Sequence, residues 1–207
     1  MAQDHYFSSD PAAPSQPRTV SLELDGRTGE LRTDRGVFAH GQIDRGTHLL
    51  LRTLPDPPAA GLLDLGCGYG PVAIALAIRA PAATVWAVDV NRRARELCER
   101  NAESAGLSNV VVAAPDDVPE AVRFAMICSN PPVRIGKPAL HELFSRWLER
   151  LDPGGRMYLV VQRHLGSDSL ARWFEEIGFT VARLRSRGGY RVLEVHRAAI
   201  TRHDVQP

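Results

Sequence analysis

The sequence lacks any apolar run approaching the roughly 18 residues that span a bilayer, so no transmembrane helix is expected. Its opening stretch, MAQDHYFSSDPAAPSQP, has neither a basic n-region nor an apolar h-region, so no secretory signal is expected in it. Cysteine is scarce: Cys67, Cys98 and Cys128 are odd in number and show no CxxC spacing. That argues against a disulfide framework or a zinc site and suits a reducing, cytoplasmic setting. His40 and His48 have no metal-ligand spacing either, so no metal is expected. Lysine is nearly missing: of 25 basic residues only Lys137 is not arginine. Arginine's planar fork suits bidentate phosphate contacts, but a chain-wide excess more often reflects lineage bias, and composition alone only permits a nucleic-acid partner.

What is present is ordinary for a globular chain: 207 residues, 44% hydrophobic and 24% charged, enough to bury one sizeable core with an extension. The net charge of +1 hides an asymmetry, because residues 1–133 carry 12 basic and 16 acidic side chains and residues 134–207 carry 13 and 8.

Residues 1–19 are polar and hold three prolines, which predicts an extended arm. In VSLELDGRTGELRTD two alternating runs flank Asp25-Gly26, a hairpin signal. The segment from Gly36 becomes a helix near Asp44, a suitable cap. From Ala59 the pattern alternates between strand and helix: AGLLDLG, GPVAIALAIRA, ATVWAVDV, NRRARELCERNAESAG, NVVVAAP, FAMICSN, KPALHELFSRWLERLDPGG, RMYLVVQ, SDSLARWFEEIG, then a closing hairpin around Arg187-Gly188-Gly189. The expected fold is a doubly wound α/β domain of seven strands, mostly parallel, with the last hairpin as an antiparallel edge. The expected organisation is an arm, hairpin and helix over 1–57, a catalytic domain over 58–198 and a tail over 199–207.

LLDLGCGYG runs a strand into a glycine turn that opens a helix. Gly66, Gly68 and Gly70 permit a tight turn and close approach to a ligand. The spacing is GxGxG with Asp64 ahead of it, and Asp89 ends the next strand, where an acid can accept both hydroxyls of a ribose. The bland alternative is a packing turn with Asp89 as a helix cap. Ligands of such sheets bind at the carboxyl ends of the strands, where Gly66, Asp89, Asp116 or Asp117, and Asn130 are expected to converge. After the strand FAMICS comes Asn130-Pro131-Pro132: an asparagine held by two rigid prolines beside that pocket. On its own such a sequence is a rigid loop. Cys128, inside the apolar strand, reads as inert core and not as a nucleophile.

DLGCGYG and VDVN resemble the cofactor motifs of class I S-adenosylmethionine-dependent methyltransferases, and NPP resembles the catalytic motif of those that modify exocyclic or amide nitrogens. With GVFAHGQIDRGTHLLL, SNPPVRIGK and GGYRVLEVHR, the resemblance extends over most of the chain to the family of ribosomal RNA small subunit methyltransferase C. It implies a Rossmann-like fold and S-adenosyl-L-methionine as cofactor. Asp64 and the Gly66–Gly70 turn with Cys67 would serve the methionine end, Asp89 the ribose, and Asp116 or Asp117 the adenine amine, with Val90 and Asn91 also cofactor-binding. Phe38 and Asp44 would complete that site. Asn130, Pro131 and Pro132 would be catalytic, with Val133, Arg134 and Lys137 meeting substrate.

The implied activity is methylation of a guanine exocyclic amine in 16S ribosomal RNA, with that RNA or the small subunit as partner, no membrane, and a monomer or homodimer. The alternatives are a protein glutamine N-methyltransferase, a non-catalytic RNA-binding domain, or a small-molecule methyltransferase. Two departures stand out: the two-domain prototype carries a second domain ahead of the catalytic one, and Val133 stands where an aromatic residue often follows NPP. The missing ring is expected from Phe38, or from Tyr6 and Phe7 on the arm.

Overall fold

A computed structural model describes residues 13–197. The arm residues Tyr6 and Phe7 and the tail 199–207 lie outside the described residues.

Strands β1 (Arg18–Leu24) and β2 (Arg27–Thr33) form the expected antiparallel hairpin. Its two-residue turn uses left-handed Asp25 (φ 49°) and Gly26 (φ 78°), whose twist matches that of the strands. Helix α1 (Arg45–Leu51) follows, with Asp44 as its cap. The remaining elements are β3 (Gly61–Leu65), α2 (Pro71–Arg79), β4 (Thr84–Val88), α3 (Arg92–Ser104), β5 (Val110–Ala113), β6 (Phe124–Ser129), α4 (Lys137–Leu148), β7 (Leu151–Gln162), α5 (Ser167–Glu176), β8 (Phe179–Arg187) and β9 (Tyr190–Arg197).

The large sheet has the order β5-β4-β3-β6-β7-β9-β8, with β3 to β7 parallel. The seven-stranded, mostly parallel α/β fold is as expected. The closing hairpin forms one edge of the sheet, also as expected. The last strand, β9, inserts between β7 and β8. Burial explains the order, since Val192, Leu193 and Val195 of β9 are fully buried while β8 is mostly exposed. Charge on the outermost strand also discourages pairing with another chain. A register shift between Arg183 and Arg185 interrupts the regular alternation of β8. A second shift lies where β6 meets β7, which begins at Leu151 and carries the Asp152–Gly155 stretch within it, with Gly154 at φ 80°.

Alternation along the strands sends side chains into two cores. Leu62 faces the layer made with α1 to α3 and the hairpin, and Leu63 and Leu65 face the layer made with α4 and α5. The hairpin is tied down by side-chain bonds. Arg79 of α2 makes a two-pronged bond with Asp25, both distances 2.8 Å. Asn101 of α3 accepts from Arg32 N–H and donates to Arg32 C=O, both at 2.8 Å. The extension is therefore part of the same packed unit as the sheet.

Candidate active site

Between β3 and β6 the strand order reverses, with β4 and β5 on one side and β6 and β7 on the other. The crevice outside the carboxyl ends of these strands holds an open cleft. Its walls include Gly66 and Gly68 after β3, Asp89, Val90 and Asn91 after β4, and Asn130, Pro131 and Pro132 after β6. Phe38 arrives from the loop ahead of α1. An inner part of the cleft is bounded by Asp44, Asp64, Cys67 and Tyr69.

The glycine turn is held from several sides. Gly66 and Cys67 N–H donate to the Val88 carbonyl at 2.8 and 3.0 Å. Gly68 N–H donates to the Asp89 carboxylate at 2.9 Å, and Asn91 N–H donates to its other oxygen at 2.9 Å. At Gly70 a side chain is excluded twice over: φ is 96°, and a Cβ would lie 2.6 Å from the Cys98 sulfur. The turn feeds α2, whose Ala73 N–H donates to Asp64 at 2.9 Å.

Burial pushes the Asp64 carboxyl up to about 7, the Ala73 bond opposing and the charge of Asp89 adding to the rise. Burial also raises Asp89, against the pull of its bonds to Asn91 and Gly68. The nearby Arg95 guanidinium donates to the backbone carbonyls of Asp89 and Val90 rather than to a carboxylate. The Tyr69 hydroxyl, on the inner wall, is buried with no hydrogen-bond partner among the described residues. A buried Asp64 and a half-buried Asp89, neither in an ion pair among the described residues, beside an unpartnered hydroxyl, suit a ligand with cationic and polar groups.

At the end of β6, Ser129 is fully buried and donates to the Leu65 carbonyl at 2.7 Å, locking this strand end to that of β3. The Asn130 amide nitrogen donates to Asp44 at 2.9 Å and to the Thr47 hydroxyl at 3.0 Å. A carboxylate only accepts, so nitrogen must face Asp44 and the amide oxygen must face away. Pro131 C=O accepts Val133 N–H at 2.8 Å and keeps a second lone pair.

Some expected site residues are not brought to the cleft. Asp116 and Asp117 are exposed, Asp116 pairs with Arg146 at 2.9 Å, and Pro115 lines the cleft in their place. Val133 packs onto the core formed with α4 and α5. Arg134 and Lys137 are exposed beside the loop. Cys128 is fully buried and burial raises its thiol, as inert core requires. Sequence reasoning missed Thr47, Tyr69, Pro115 and Tyr190. Tyr190 carried one available signal, an aromatic residue directly after a Gly-Gly turn. Its hydroxyl donates to Asp44 at 3.2 Å and accepts from Gln162 at 2.8 Å.

The model of the methyltransferase small domain family matches residues 28–194. The chain belongs to that family. Uncharacterized protein YbxB of Bacillus subtilis is 35% identical over 195 residues, which is 92% of this chain and 97% of that protein. Ribosomal RNA small subunit methyltransferase C of Pseudomonas aeruginosa is 38% identical over 175 residues, 74% of this chain and 52% of that enzyme. The T. thermophilus 16S rRNA N2 methyltransferase, solved in complex with AdoMet and guanosine, superposes with a TM-score of 0.73 at 27% identity. That match covers 91% of this chain and 52% of the solved one. The chain thus spans about half the length of the methyltransferase C relatives it matches.

This small-domain methyltransferase uses S-adenosylmethionine. Its residues fit that cofactor: the glycine turn and the two acids suit the cationic sulfonium and ammonium, and Val90, Pro115 and Leu143 offer apolar wall for a purine. Among the described residues no helix is long and apolar enough to cross a membrane, and no group of three His, Cys, Asp or Glu could hold a metal ion.

Proposed function

We propose that this methyltransferase modifies the exocyclic amine of a guanine in 16S ribosomal RNA, acting in the cytoplasm on the RNA or the small subunit. The observation that carries the reading is Asn130, whose nitrogen is occupied by Asp44 and Thr47 at the rim of the cofactor cleft. Its amide oxygen is thereby left to accept from a substrate N–H. An exocyclic amine is a poor nucleophile because its lone pair is delocalised into the ring. Acceptors at Asn130 Oδ1 and Pro131 C=O orient the two N–H groups and favour the pyramidal geometry of attack, and the prolines spare them reorganisation. When bound, S-adenosylmethionine supplies an electrophilic methyl on sulfur. Positioning by the protein is the main contribution, and the amine loses its proton after attack, so no general base is needed beforehand. Asp89 would hold the ribose hydroxyls, Asp64 and the glycine turn the methionine end. Similarity to the methyltransferase C relatives supports ribosomal RNA as the acceptor class.

The test is incubation with tritiated cofactor and unmethylated small ribosomal subunits, naked 16S RNA, or ribosomal proteins, followed by nucleoside and amino-acid analysis. N2-methylguanosine is expected. Label in glutamine would replace this reading with a protein methyltransferase. Absence of label with tight RNA binding would make the chain a binding domain.

A further inference from the structure

Asp44 lies on a different element from the NPP loop, yet its carboxylate joins the cap of α1 and the Tyr190 hydroxyl to Asn130. One oxygen accepts from Gly46 N–H at 2.8 Å, Thr47 N–H at 3.2 Å and Asn130 Nδ2 at 2.9 Å. The other accepts from the Tyr190 hydroxyl at 3.2 Å. Gln162, at the end of β7, donates to that hydroxyl at 2.8 Å. A relay thus runs from β7 through β9 and the cap of α1 to the asparagine just after β6. Gly46 makes room for it, since a Cβ there would lie 2.8 Å from the Tyr190 ring.

We infer that Asp44, steadied by Tyr190 and aided by Thr47, is a positioning residue that fixes the rotamer of Asn130 and strengthens its oxygen as an acceptor. The inference rests on the reading of Asn130 as the acceptor of the substrate amine. Its physics is amide resonance. An N–H bonded to an anion releases electron density toward the amide oxygen, and bonds in series strengthen one another in a half-buried site. The gain is largest once the attacking nitrogen becomes cationic and its N–H bonds grow more acidic. Asp44 therefore acts on the transition state more than on ground-state binding. It touches neither the reacting nitrogen nor the methyl group, and moves no proton.

Removing Asp44 outright would also strip the cap of α1, so the variant to use is Asp44→Ser. Serine keeps a good cap but is too short to hold Asn130. Turnover is measured with S-adenosylmethionine and unmethylated small ribosomal subunits. Asn130→Ala should lower kcat about 100-fold, and Asp44→Ser should lower it tenfold or more, both read at saturating cofactor so that any change in cofactor affinity drops out. In the double variant, Asp44→Ser should cost nothing further, because its effect passes through Asn130. Asp44→Asn, which keeps shape and loses charge, should fall between wild type and Asp44→Ser. In 15N-labelled free protein, the Asn130 side-chain amide protons should exchange with water markedly faster in Asp44→Ser.

A slow Asn130→Ala beside a fully active Asp44→Ser overturns this inference alone, as do losses that multiply in the double variant. Unaltered amide exchange in Asp44→Ser overturns it without reference to turnover. A fully active Asn130→Ala removes the amine-orienting reading itself and this inference with it.

Discussion

Asn101 on α3 donates its side-chain amide to the Tyr69 carbonyl at 2.9 Å, so the glycine turn is gripped by the helix beyond the next strand. The same side chain bonds both backbone groups of Arg32 on the hairpin, and it is almost fully buried. One asparagine thus couples the N-terminal extension to the cofactor turn. Asn101→Ala leaves these groups without partners and should cost about 2–4 kcal/mol of stability. Urea unfolding measures this, and cofactor affinity by calorimetry should fall with it. A change below about 0.5 kcal/mol would mean water replaces the amide without penalty.

Asp89→Ala should weaken S-adenosylmethionine binding by about 1.5–3 kcal/mol, the scale of lost charge-assisted hydrogen bonds. Asp89→Asn should cost less, because it retains one acceptor for Gly68 or Asn91. Unchanged affinity in the alanine variant would remove Asp89 from the ribose site.

Asp64 carries a pH signature. Its folded carboxyl stays protonated up to about 7, whereas an unfolded chain releases that proton near the ordinary 3.8. Between these values the folded state binds more protons, so this contribution to stability is complete below about pH 4 and is lost as pH rises through about 7. The full change is as much as ~4 kcal/mol. Asp64→Asn should remove that slope from urea unfolding measured between pH 4.5 and 8, on the order of the span the titration predicts. A cationic ligand favours the carboxylate, so cofactor affinity should rise through the same window in wild type and not in the variant.

Phe38 is 37% exposed and lines both parts of the cleft, which is an unusual place for a core anchor. Phe38→Leu keeps apolar bulk and deletes the ring. If the ring stacks on the acceptor base, methyl transfer should fall by an amount equivalent to roughly 1–3 kcal/mol with folding intact. A fully active variant eliminates Phe38 as the platform.

If the acceptor is RNA, its affinity should decline as salt rises, through release of counterions from phosphates. Arg134→Ala and Lys137→Ala, exposed beside the NPP loop, should each flatten that dependence. A slope indifferent to both would move the RNA path elsewhere on the surface.

The sequence by itself determined the layered sheet, the glycine turn and the rigid NPP loop. Each is written in local chemistry: alternating apolar residues, glycines that reach left-handed φ at Gly66, Gly68 and Gly70, and prolines that fix their own backbone. Strand ends can be read this way because polar residues at the close of an apolar run must emerge at the sheet's carboxyl edge. Tertiary structure alone decided the rest. Burial, not order along the chain, set β9 inside β8, because β9 carries the apolar residues that can fill the interior. The short turn after β5 carried Asp116 and Asp117 to the surface and left Pro115 at the cleft. The hold of Asp44 on Asn130 spans 86 residues, and that of Tyr190 on Asp44 spans 146. No local pattern encodes such pairings, since they arise only when separate strand ends meet, and their hydrogen bonds then fix which way the asparagine faces.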